Sequence, residues 1–239
     1  GKTTALYAAI SEVNSAEKNI ITLEDPVEYE IPNVRQSQVN VKAGLTFALG
    51  LRSIVRQDPD IIMIGEIRDK ETADIAIHAA LTGHLLLSTL HTNDAPSAAA
   101  RLIDMGVEPF LVASSVIGIL AQRLIRTLCP ACKCLYTPSK ELLEQLGLSE
   151  KVAKGSVNFY QENGCPKCNN IGYSGRTGIY ELLVTNEYIR ELITKKSSAA
   201  RIRDEAVKLG MRSLRDSGID KVLKGVTSVS EILRVTEEI

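Results

Sequence analysis

Gly1-Lys2-Thr3-Thr4 opens the chain and runs straight into an apolar helical pattern. The order matches the second half of the phosphate-binding loop G-x-x-x-x-G-K-[ST], whose backbone N–H groups cradle phosphate oxygens while the lysine reaches the outer phosphates and the hydroxyl binds Mg2+. Lys2 is then the phosphate lysine and Thr3 the Mg2+ ligand, with Gly1 and Thr4 beside them, and the chain is expected to be a fragment whose loop begins upstream. Four residues are a weak signal alone, because Gly-Lys-Thr begins many ordinary helices. Their weight comes from three polar turns downstream. Glu24-Asp25-Pro26-Val27-Glu28, Gly65-Glu66-Ile67-Arg68-Asp69 and His91-Thr92-Asn93-Asp94 each follow a short apolar run. An acid after an apolar strand, in company with a phosphate loop, holds Mg2+ or orients the attacking water in phosphoryl transfer. The usual acid is an Asp at the strand's last position; here it is a Glu beyond a glycine, so the water or metal role falls to Glu24 or Glu66, and the sequence does not say which is the base. A lone histidine is more often a hydrogen-bonded structural residue, and His78, inside a helical pattern, is left to that reading. His84 precedes its strand, where pinning a loop is the plain alternative to chemistry, whereas His91 lies at the chemical edge.

A phosphoryl transition state also gains from a cation supplied in cis or by a neighbouring subunit. Arg35, Arg52, Arg56, Arg68 and Arg101 are the candidates, although most surface arginines are merely solvated. Arg52 and Arg56 lie four apart, on one face of a helix if 47–56 is helical.

A second chemistry is written in Cys129-Pro130-Ala131-Cys132 and Cys165-Pro166-Lys167-Cys168. Each C-x-x-C turn supplies two thiolates, and four thiolates close a tetrahedral Zn2+ site with no position left for water. The gap between the pairs exceeds the usual zinc-ribbon spacing, so the segment between them is expected to fold as a small insert with a helix over 139–146. A redox dithiol is the alternative, disfavoured because the pair is duplicated and lacks a thioredoxin-like context. Cys134 is read as a bystander, with competition as a ligand the alternative.

These side chains need elements to place them. From 1 to about 125 the pattern alternates helix and apolar strand, the mark of a parallel sheet covered by helices. A first helix carries Leu6, Ile10 and Val13 on one side. Strands follow at 20–23, 61–64 and 85–90, Asp69 caps an Ala-rich helix running to Leu81, and Pro96 opens another. Open α/β sheets bind ligands at the carboxyl ends of their strands, so Lys2, Glu24, Glu66 and His91 are expected to share one site. With 239 residues, 44% hydrophobic and 24% charged, the chain can bury a sizeable core. A net charge of -1, 4% aromatics and no Trp argue against a nucleic-acid footprint. The longest apolar stretch, 110–120, is too short to span a bilayer. Five cysteines, four of them in two pairs, fit a metal site in a reducing compartment better than disulfides.

Thr22-Leu23-Glu24-Asp25-Pro26-Val27-Glu28 resembles the aspartate box of the hexameric secretion and pilus motor ATPases, the family that includes the type II secretion ATPase. The run from Gln57 to Asp69 resembles that family's unusual Walker B segment, and Thr82-Gly83-His84-Leu85-Leu86-Leu87-Ser88-Thr89-Leu90-His91-Thr92-Asn93 its histidine box. The paired cysteines resemble the tetracysteine insert of the secretion and pilus-assembly branches, which retraction motors lack. Gly172-Tyr173-Ser174-Gly175-Arg176-Thr177-Gly178-Ile179-Tyr180-Glu181 follows as in that family. The resemblance covers essentially the whole chain and departs at Ala48-Leu49, where many members carry another basic residue. It implies that Glu24 activates or positions the hydrolytic water, that Glu66 acts with it at Mg2+, and that His84 and His91 sense the γ-phosphate. Asp25, Glu28, Arg68 and Arg101 join the nucleotide site, and Arg52 and Arg56 join the catalytic set.

The expected fold class is therefore α/β: a RecA-like P-loop ATPase core over 1–125, a tetracysteine zinc-binding insert over 126–184 and a small helical C-terminal subdomain over 185–239. In that subdomain Ser228-Val229-Ser230-Glu231 offers a capping box. By resemblance the cofactors are ATP, Mg2+ and Zn2+, and the parent is a hexameric motor that powers type II secretion through pseudopilus assembly. It is expected on the cytoplasmic face of the inner membrane, a peripheral association made through platform proteins that bind a preceding region, with no nucleic-acid partner. A type IV pilus extension motor is the alternative, and for the isolated chain so is a catalytically inactive, zinc-supported assembly module.

Overall fold

The structure is a computed structural model that describes residues 1–148 and 157–236. Packing groups the chain into two compact units, the first formed by Gly1–Ile119 with Leu183–Leu209, the second by Leu120–Leu182 with Gly210–Ile239. The helical tail thus divides, its first half packing with the amino-terminal residues.

The first unit is built on β1 (Ile20–Glu24), β2 (Val34–Gln38), β3 (Ile61–Ile64) and β4 (Leu85–Ser88), in the order β2-β1-β3-β4. All neighbours run parallel: Ile20 is opposite both Val34 and Ile61, and Ile61 is opposite Leu85. Every residue of β1 and β3 is buried, as expected of central strands covered on both faces. On one face α1 (Lys2–Val13) lays Tyr7 and Ile10 against Ile20, Ile61 and Met63. The helix's buried stripe therefore differs from the Leu6-Ile10-Val13 face expected from sequence: Tyr7 is 1% exposed and Val13 36%. On the other face α2 (Phe47–Ile54) comes so close to β1 that a Cβ at Gly50 would stand 2.6 Å from Leu23 Cδ2. α3 (Lys70–Leu81) starts where Asp69 accepts the Thr72 N–H at 2.8 Å, and α4 (Ala95–Asp104) where Asp94 accepts the Ser97 N–H at 2.7 Å. α5 (Pro109–Ser115) packs on α7 (Glu187–Thr194), and α4 on α8 (Ala199–Lys208), where Arg203 pairs with Asp94.

β4 ends two residues before the expected strand end. Thr89 is drawn toward the loop after β3, its carbonyl accepting the Ile67 N–H at 3.0 Å and its hydroxyl donating to Gly65 O at 2.7 Å. The edge strand β2 was not expected from the sequence. Its run Val-Arg-Gln-Ser-Gln carries one apolar residue, and the strand is recognisable only from its pairing with β1.

In the second unit the long strands β5 (Gly118–Leu128) and β8 (Tyr173–Val184) pair with each other; both also carry the chain between units. β6 (Cys134–Tyr136) and β7 (Phe159–Gln161) form an antiparallel ribbon, with Leu135 opposite Tyr160. The expected helix over 139–146 is α6 (Lys140–Gln145), capped by Ser139. α9 (Leu214–Leu223) and α10 (Val229–Thr236) close on a core that includes Ile125, Phe159, Ile179, Leu214, Ile219 and Ile232. At Gly218 the two helices approach so closely that a Cβ would lie 2.8 Å from Ile232. Of the capping box expected at Ser228, half forms: Ser228 accepts the Glu231 N–H at 3.2 Å, but the Glu231 carboxylate goes to Arg126 and Arg234. A full box forms instead between Ser213 and Asp216. Among the described residues no helix is long and apolar enough to cross a membrane.

Candidate active site

The carboxyl ends of β1, β3 and β4 open on one cleft. Lys2, Thr3, Glu24, Asp25, Glu28, Glu66 and His91 line it, with Leu6, Phe47, Met63 and Thr89 among its walls. Parallel strands put these residues there because each turn leaves its strand at the same edge. Lys2 and Thr3 arrive from α1, whose first residues leave N–H groups unpaired and favour an anion. The Lys2 ammonium donates to Leu90 O at 3.5 Å, so the lysine lies beside the histidine turn.

The two glutamates sit in different surroundings. Glu24 is 2% exposed, and three side chains donate to it. Tyr7 Oη donates to Oε2, while Thr22 Oγ1 at 2.5 Å and Gln36 Nε2 at 3.0 Å donate to Oε1. The register explains the set, since Thr22 shares Glu24's face of β1 and Gln36 lies opposite Thr22 on β2. Glu66 is held by an ion pair to Arg68 on Oε1 and by His91 Nε2, 3.1 Å from Oε2. Arg68 first, against the cost of burial, and then His91 hold the Glu66 carboxyl below the usual range, while Glu66 in turn raises the Arg68 guanidinium. Glu66 is thus an anion at neutral pH in the lining of the cleft.

Other expected site residues lie elsewhere in this structure. His84 precedes β4, at the opposite end of the strand from the cleft, and its Nδ1 is pinned at 2.9 Å from Ala79 O and 3.1 Å from Thr82 Oγ1. Arg52, on α2, pairs with Glu71 at 2.8 Å. Arg56, in the short 3-10 turn after α2, and Arg101, on α4, are exposed and outside the cleft lining, as is Arg35 on β2. Gly1 caps α1, and Thr4 is exposed beyond the lining. Sequence reading overlooked Tyr7, Thr22 and Gln36, the side chains that hold Glu24. Two signals were present: Tyr7 stands one turn after Thr3, and Thr22 stands two residues before Glu24 on the same strand face.

In the second unit the four paired cysteines converge, with all sulfurs within 4.8 Å of one another. The Cys129–Cys165, Cys132–Cys168 and Cys165–Cys168 Sγ separations are 4.0, 3.8 and 3.8 Å. A tetrahedron with Zn–S bonds of about 2.3 Å has edges of about 3.8 Å, so the spacing fits Zn2+ and is far beyond a disulfide. Cys168 Sγ receives the N–H groups of Cys165 and Gly172, each at 3.3 Å. Burial opposes charge on this thiol, but those donors prevail and bring its pKa down to about 7. Among the described residues Cys134 Sγ reaches toward Gln161 O, at 3.9 Å.

A family profile described as Type II/IV secretion system protein matches residues 1–234. The chain is 52% identical over 238 residues to the type II secretion system ATPase E of Vibrio cholerae, an alignment that takes in all of this chain and 46% of that protein. It is 50% identical over 238 residues to the type IV pilus assembly ATPase PilB of Thermus thermophilus, covering 27% of that protein. The crystal structure of the pilus retraction motor PilT with bound ADP has the same α/β fold, with a TM-score of 0.67 and 25% identity over 99% of this chain and 58% of that one. The chain spans about half the length, or less, of these curated relatives.

Proposed function

The chain belongs to the type II/IV secretion system protein family, and on that premise we propose that its cleft binds Mg-ATP and hydrolyses the γ-phosphate within a ring-forming secretion motor. The observation that carries this reading is the convergence of Lys2, Thr3, Glu24, Glu66 and His91 on one cleft at the carboxyl edge of β1, β3 and β4. Lys2 and the start of α1 neutralise phosphate charge. Thr3 and Glu66 are the side chains that would hold Mg2+, which supplies charge neutralisation on the phosphate oxygens when bound. Glu24, fixed by three donors, orients the attacking water. His91, already hydrogen-bonded to Glu66, is placed to exchange that partner for the γ-phosphate. Arg52, Arg56 and Arg101 are exposed cations suited to a neighbouring subunit's nucleotide, whereas His84, half-buried and hydrogen-bonded to Ala79 O, pins the turn before β4. Cys129, Cys132, Cys165 and Cys168 would hold a structural Zn2+ with no open coordination position.

In this reading 1–125 is the nucleotide core, 126–184 the zinc insert and 185–239 the helical subdomain of a hexamer. The whole protein would work on the cytoplasmic face of the inner membrane, docked on platform proteins, and drive type II secretion through pseudopilus assembly. The 50% identity to a pilus assembly ATPase favours type IV pilus extension as the second reading, and a partner pull-down from the native host separates the two. The test of the chemistry is Mg-ATP turnover by the full-length protein and its Glu66→Gln variant. A loss of at least about 100-fold in kcat is expected, and unchanged turnover would remove Glu66 from the site.

A further inference from the structure

We propose that Tyr7 is a positioning residue for hydrolysis, tying the phosphate-binding helix to the Glu24 carboxylate; this rests on the ATPase reading above. Tyr7 lies one turn beyond Thr3 on α1 and is 1% exposed. Its hydroxyl donates to Glu24 Oε2 and accepts the Glu28 N–H at 3.1 Å. The Tyr29 ring packs edge-on against it, with centroids 4.5 Å apart at 77°. A single side chain therefore joins the helix that carries Lys2 and Thr3, the buried acid, and the turn that carries Asp25 and Glu28.

An ordinary buried tyrosine needs only some partner for its hydroxyl. This one takes a carboxylate that lines the cleft, and among the described residues it is the donor to Oε2, since Thr22 and Gln36 both serve Oε1. A carboxylate has about four lone-pair sites. Three are occupied here, which leaves about one for a cleft water and fixes the direction in which that water is held. Without the Tyr7 hydroxyl, Oε2 is untethered and the carboxylate can turn about its terminal torsion, a soft and broad one. Near-attack geometry tolerates little of this, because misplacement by about 1 Å can cost about 100-fold in rate. The expected defect is thus in the chemical step, with Lys2 and the helix start still able to bind phosphate.

The test uses the full-length protein under single-turnover conditions, so that slow variants stay readable, together with the KM for ATP. Tyr7→Phe is expected to lower kcat at least about tenfold with KM within about twofold, and 4-aminophenylalanine in place of Tyr7, which restores a donor at the ring tip, to recover most of the rate. In a Glu24→Gln background Tyr7→Phe is expected to change the rate less than about twofold, since partners acting as a unit are not additive. An unchanged kcat in Tyr7→Phe, a defect confined to KM, a failure of the amino analogue to recover activity, or an equal further loss in the Glu24→Gln background would each overturn the inference. If Glu24→Gln alone turns over like the parent, the assignment of Glu24 fails instead; a slow Glu24→Gln beside a normal Tyr7→Phe sinks only the role of Tyr7.

Discussion

Glu66 owes its low pKa chiefly to Arg68, and this makes a pH prediction. A carboxylate whose folded pKa is depressed keeps its charge as pH falls until that lower value is reached. Arg68→Ala removes the largest depressing influence, so the acid limb of kcat against pH is expected to move to higher pH. An acid limb that stays in place in the variant would show that Glu66 ionisation does not govern turnover. A different carboxylate governs the second unit. Glu231 has no side-chain exposure and pairs with Arg126 and Arg234, which are 43% and 58% exposed. Burial opposes its charge, yet the two arginines and the Arg126 N–H bring its pKa from 4.5 to about 2. At about 1.4 kcal/mol per pH unit that is on the order of 3 kcal/mol of stability, fully present above the unfolded value and lost as pH falls from about 4.5 toward 2. Glu231→Gln is expected to lower the melting temperature at pH 7, with the gap to the parent closing near pH 2. A gap independent of pH would contradict this. At this scale Lys2 was readable from the Gly-Lys-Thr order that opens an apolar helix, and Glu24, Glu66 and His91 because each follows an apolar run. The partner Tyr7 that holds Glu24 was not, since it looks like any core aromatic; nor was the Arg126–Glu231 pair of the second unit, whose members stand far apart in sequence.

The buried strands β1 and β3 and the capped helices α3 and α4 follow from local sequence: apolar runs of four or five residues, then Asp at each cap. The strands that escaped notice lack such a signature. β2 carries one apolar residue, and β5 and β8 are long and half exposed, so their pairing depends on partners that are remote in the chain. The cysteine turns were legible because a metal site needs only residue type and spacing, although the ribbon β6–β7 that brings the two turns together was not. Metal analysis of purified protein is expected to give about one zinc per chain. Cys165→Ser is expected to lose the zinc and lower the melting temperature of the second unit, while a nucleotide analogue still binds the cleft of the first. Full zinc retention in that variant would dismiss the four-thiolate site.

Across the whole molecule, each unit carries one candidate chemistry: the first holds the cleft at the strand ends and the second the cysteine cluster. The α/β class was legible from the alternation of helix and strand. The packing of 183–209 with the amino-terminal residues was not, because helical periodicity reports which face is buried and not what covers it. Ring assembly is the level at which exposed cations such as Arg56 and Arg101 acquire a partner in the proposed motor, so turnover per chain is expected to rise with protein concentration until the ring is complete. The most direct measurement is Mg-ATP hydrolysis by the full-length protein across that concentration range, beside its Lys2→Ala variant. Turnover is expected to climb with assembly in the parent and to fall at least about 100-fold in the variant. Equal turnover by parent and variant would contradict the assignment of the cleft as the site of ATP hydrolysis.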